Sequence, residues 1–149
     1  MDRKRHLAAL TGLGEVQQLQ VAAARAELAD ALDELVTAEE ATGKSRQQLQ
    51  MSETAYEETL AAASFDPDAM RRAGFAILMS EDRLEQMVDT QRRAEIAQVA
   101  ARAEWHGHRM RLRAVGEQRR HLRRKLVQMS EDKAAIDIMA LAASRRTTP

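Results

Sequence analysis

The chain of 149 residues carries 23 Lys and Arg against 23 Asp and Glu, is 31% charged and 3% aromatic, and contains no cysteine. That composition excludes a disulfide framework, a thiolate metal site and a thiol nucleophile, and it lacks the bulky residues of a thick globular core. Six glycines and two prolines are too few turn signals for a sheet, no uncharged run reaches the length of a membrane span, and long helices in a cytosolic protein are expected.

The opening segment, Met1-Asp-Arg-Lys-Arg-His followed by apolar residues to Gly14, has the basic and apolar order of a leader. Glu15 cuts it short and no small-residue cleavage site follows, so it reads as the start of a helix. From Leu7 every seventh residue joins one stripe: Gly14, Val21, Leu28, Leu35, Thr42, Leu49, Tyr56 and Ala63. Three residues after each comes a mostly small companion, Leu10, Gln17, Ala24, Ala31, Ala38, Ser45, Ser52 and Thr59. A repeat of seven keeps a stripe facing a neighbour only where helices wind around each other.

The stripe stops at Ser64-Phe65-Asp66-Pro67. Asp66 suits an N-cap, Pro67 the first helical turn and Asp68 the positive helix end. Helix 1 is therefore predicted from about residue 3 to about residue 63, a turn at about 64–66, and helix 2 from about 67 to about 144. Helix 2 has its own stripe, Met70, Ile77, Leu84, Gln91, Gln98, Trp105, Leu112, Arg119 and Leu126. Its companions are Ala73, Ser80, Met87, Ala94, Ala101, His108, Val115, Leu122, Met129 and Ile136. Gly43, Gly74, Gly107 and Gly116 are expected soft spots, each costing about 1 kcal/mol against alanine.

The fold predicted is all-α, an antiparallel two-helix coiled-coil hairpin forming a single domain. Residues 1–70 carry a net charge of −7 and residues 71–149 a net charge of +7, so the two arms attract each other while each repels its own copy. That favours a monomer paired within itself. Position i then faces about 130 − i, and helix 2 overhangs from about Met129, carrying Ile136, Ile138, Met139 and Leu141 into water as a binding segment.

No catalytic, metal or cofactor site is expected. His106 and His108 are two apart and diverge on a helix, Glu39-Glu40 and Glu57-Glu58 are sequence neighbours that cannot converge on a substrate, and no phosphate loop is present. The sharpest charge feature is the run Arg109, Arg111, Arg113, Arg119, Arg120, Arg123, Arg124 and Lys125. Opposed in the hairpin by a stretch whose only acid is Glu15, it fits an acidic protein socket. Nucleic acid is the competing partner, disfavoured by zero overall charge and the lack of stacking aromatics. A homodimeric coiled-coil scaffold is the other alternative. Phe75, Leu78 and Met79, with Phe65, fall outside the buried heptad positions and mark either a docking patch or a cover over the turn.

Two long helices broken near residue 65, Phe75 early in the second, the basic run into Leu126, and the closing Lys133-Ala-Ala-Ile-Asp-Ile-Met-Ala-Leu-Ala-Ala-Ser-Arg-Arg146 together resemble the flagellar export protein FliJ and its injectisome counterparts of the YscO type. The resemblance covers essentially the whole length. It implies a non-enzymatic stalk and general chaperone component of a flagellar or type III export apparatus, cytoplasmic and peripheral at the inner membrane. The implied partners are an export ATPase ring, an export-gate membrane protein and export chaperones, with no nucleic acid. Carried onto this sequence, ATPase contacts would fall on Arg109, Arg113, Arg119, Arg120, Arg123, Arg124, Ile136 and Met139, and gate contacts on Phe75, Leu78 and Met79.

Overall fold

A computed structural model describes residues 2–146, all but the short connection at 62–66 being α-helical. Two long helices, α1 (Asp2–Ala61) and α2 (Pro67–Arg146), pack against each other. Ala-, Leu-, Glu- and Arg-rich sequence gives both helices high propensity throughout. Neither helix breaks at Gly43, Gly74, Gly107 or Gly116, and no described residue has positive φ. The helix formers on either side of each glycine carry the helix through it.

The start of α2 follows from Asp66. Its Oδ1 accepts hydrogen bonds from the backbone N–H groups of Asp68 (3.0 Å) and Ala69 (3.2 Å), while its carbonyl accepts the first helical bond, from Met70 N–H (3.1 Å). These satisfy donors that a helix N-terminus otherwise leaves orphaned. Arg71 adds an ion pair to Asp68 on the first turn. α1 stops at Ala61, so Ala62 and Ala63, good helix formers, are drawn into the link that reaches the capped start of α2. Ala63 is accordingly exposed and takes no place in the stripe.

The chain forms two compact units, each built from a stretch of both helices. Unit 1 combines Met1–Ala23 with Trp105–Pro149, and unit 2 is Ala24–Glu104. In unit 2 the core is made of small side chains: Ala24, Ala31 and Ala38 are buried, with Thr42, Ser45, Ser80 and Gln98. Thr42 Oγ1 donates to Ala38 O (2.9 Å) on its own helix and also lies 3.2 Å from Met87 O on α2. The Ser52 and Ser80 hydroxyls meet at 3.0 Å, and the Tyr56 ring lies against Gly74. A hydroxyl on so short a side chain reaches the opposite backbone only where the helices approach closely, at the near end of the 8–10 Å range. In unit 1, Leu10 and Gly14 are buried, Gly14 facing Val115, and Arg3 reaches the Met129 sulfur.

The stripes predicted from the heptads are the faces withdrawn from solvent on both helices, from Leu7 to Thr59 and from Met70 to Leu126. Beyond Leu126 the pattern fails: Met129 and Ile136 are exposed, as is every residue of 127–145. Among the described residues, no helix is long and apolar enough to cross a membrane.

Candidate functional site

The candidate residues fall into separate regions of the two units. In unit 1, Arg109, Arg111, Arg113, Arg120, Arg123, Arg124 and Lys125 are exposed, while Arg119 is half-buried on the stripe. Two of these cations have partners that spacing alone had not assigned. The Arg109 guanidinium sits 4.7 Å from the centre of the Trp105 ring, and Arg113 Nε donates to Glu117 Oε1 at 3.2 Å. Both are i,i+4 pairs, the spacing that brings helical side chains together, so the sequence did contain the signal. The cations remaining for a partner are chiefly Arg111, Arg120, Arg123, Arg124 and Lys125. Arg123 shares a shallow surface groove with Lys4, Ala8, Thr11 and Glu15 of α1, which places Glu15 on the same surface as part of the run.

Ile136 and Met139 are 64% and 68% exposed, and Ile138 and Leu141 are similarly open. At 100° per residue these four point in different directions around α2, so this segment is apolar on more than one side. A helix of that kind is suited to burial on several faces at once.

The Trp105 and His106 rings are tilted at 47° to each other, with centroids 4.9 Å apart. Trp105 Nε1, His108 Nδ1 and Gln17 Oε1 are shielded from solvent and have no hydrogen-bond partner among the described residues. Among the described residues no group of three His, Cys, Asp or Glu is placed to hold a metal.

In unit 2, Phe75, Leu78 and Met79 are 64%, 63% and 53% exposed, and Phe65 is 75% exposed. Phe75 thus keeps most of its surface open to solvent. Unit 2 also holds a channel that the heptads did not announce. Its sides are Thr37, Ala41, Ala94 and Ala97, with Asp33 and Glu34 on the α1 rim and Arg93 opposite. Small residues on both helices leave the channel open.

The electrostatics divide cleanly by unit. Unit 1 carries 14 Lys and Arg against 6 Asp and Glu, a net charge of +8. Unit 2 carries 9 against 17, a net charge of −8. Within unit 2 the acids concentrate on α1, where Glu27, Asp30, Asp33, Glu34, Glu39 and Glu40 are all exposed and no base interrupts them. Comparison with protein-family models, with curated proteins and with solved structures finds no match to this chain.

Proposed function

We propose that the chain is an antiparallel two-helix coiled-coil hairpin acting as a non-enzymatic stalk of a bacterial flagellar or type III protein export apparatus. The antiparallel reading is supported in each unit by which residues meet. Contacts of α1 with α2 pair Arg3 with Met129 and Gly14 with Val115 in unit 1, and Thr42 with Met87, Ser52 with Ser80 and Tyr56 with Gly74 in unit 2. In each unit the partner number on α2 falls as the number on α1 rises, near the expected 130 − i. The helices' heptads make the coiled-coil reading natural.

The observation that carries the function is the make-up of unit 1. An exposed cationic run on α2 leads directly into exposed helix that is apolar on several sides. A helix with that order of features fits a socket with an acidic mouth and an apolar interior, the role that the resemblance assigns to an export ATPase ring. Phe75, Leu78 and Met79 form the second contact, toward the export-gate membrane protein. Such a stalk needs no cofactor, and it works as a peripheral protein at the membrane.

The test is capture of the cognate export ATPase by the wild type and by a variant with Arg120, Arg123 and Arg124 changed to Glu. All three are exposed, so the variant should keep its helicity, with stability changed by no more than about 0.5 kcal/mol per substitution. Loss of capture is expected. Undiminished capture by the folded variant would remove the socket and the function argued from it.

A further inference from the structure

The equal and opposite charges of the two units have a partner already present wherever this chain is present. We propose that a second copy of the chain binds through charge: the cationic run of unit 1 on one copy docks along the acidic α1 face of unit 2 on the other. The contact is made twice, about a two-fold axis.

Three observations carry this. The charges are +8 and −8, so each unit finds its complement on another copy while the copies carry no net charge to repel each other. Arg120, Arg123 and Arg124 on one side and Asp30, Asp33 and Glu34 on the other take no part in the ion pairs among the described residues, which join Arg71 to Asp68 and Arg113 to Glu117. A surface groove also opens beside the acidic face. The channel between Ala41 and Ala97 is open, and its α1 rim carries Asp33 and Glu34, with Arg93 as the single cation along it. A cationic helix is the matching occupant, and α2 from Arg109 to Lys125 is the cationic helix of this chain.

A two-fold arrangement uses the same pair of surfaces in both directions and closes on itself, giving a dimer rather than a filament. Like-charge repulsion disfavours the parallel alternative, in which cationic unit would meet cationic unit. The dimer covers the run that an acidic socket would otherwise engage, so partner binding and self-association exclude each other. It stands apart from the proposed function, because its test contains this chain alone.

That test is mass by light scattering after size exclusion, at about 50 mM and about 500 mM salt, conditions that shorten the reach of exposed charges severalfold. The wild type should run near twice its 16.7 kDa at low salt and near 16.7 kDa at high salt. Variant X, with Arg120, Arg123 and Arg124 changed to Glu, and variant Y, with Asp30, Asp33 and Glu34 changed to Lys, should each be monomeric at low salt. Mixed together, X and Y should recover the doubled mass, because both of their contacts are again between opposite charges. Helicity by circular dichroism checks that both variants fold, and recovery on mixing would itself exclude misfolding as the cause of their monomeric state. A wild type that is monomeric at low salt overturns the proposal. So does a dimer indifferent to salt or retained by X and Y alone, the pattern of a dimer made through the heptad stripes, and so does failure of the folded variants to pair.

Discussion

Ala38 illustrates how this molecule packs at the scale of one residue. It occupies a heptad position where leucine is the usual occupant, yet it is only 6% exposed and its carbonyl accepts the Thr42 hydroxyl. One turn on, the Thr42 hydroxyl reaches Met87 O at 3.2 Å, so the two helices lie close on this face. Ala38→Leu, which would strengthen an ordinary leucine stripe, should instead destabilise this one by about 1–3 kcal/mol through overpacking. Chemical unfolding followed by circular dichroism measures it. Residues also mark where sequence reading fell short. The heptads placed Trp105 and His108 on the buried face, and both are half-buried there. Periodicity says nothing of which polar atoms lack partners, because that depends on the rotamers and side-chain volumes of both helices. Arg109 and Arg113 had been counted with the free cations, and each has instead a partner four residues away on its own helix.

At the scale of an element, the beginning of α2 was the most legible feature and the end of α1 the least. Asp66, Pro67 and Asp68 name a helix start by their chemistry, and the Oδ1 of Asp66 makes the capping bonds. Asp66→Ala should cost about 0.5–2 kcal/mol, read as a fall in thermal or denaturant stability. The last turn of α1 has no equivalent stop signal. Its end is set by the span to Asp66, which local propensity at Ala62 and Ala63 does not encode. The stripes themselves were readable over both helices because a period of seven determines which face is covered, whatever the residue sizes. What the period could not reveal was the channel beside Ala41 and Ala97, since an opening between helices depends on their separation. The point after Leu126 where α2 leaves the covered face was legible from the pairing of i with about 130 − i, which sets the overhang from about Met129, although Met129 and Ile136 keep the heptad spacing.

At the scale of the whole molecule, the sequence halves already differed in charge, and the two units sharpen that contrast. The same division has a practical consequence for anyone who works with the protein in solution. The chain owns a single tryptophan and a single tyrosine, and they lie one in each unit, Trp105 in the first and Tyr56 in the second. Light therefore interrogates the halves separately without any attached dye. A macromolecule that engages the positive half should alter the colour or intensity of indole emission, all the more because the Arg109 guanidinium rests on that ring. The phenol signal reports the negative half, where Tyr56 lies against Gly74. Titration with an acidic partner should move the first signal before the second, and the reverse order would mean that contact begins elsewhere. Nature has supplied this chain with two native reporters, each able to say which unit has been touched.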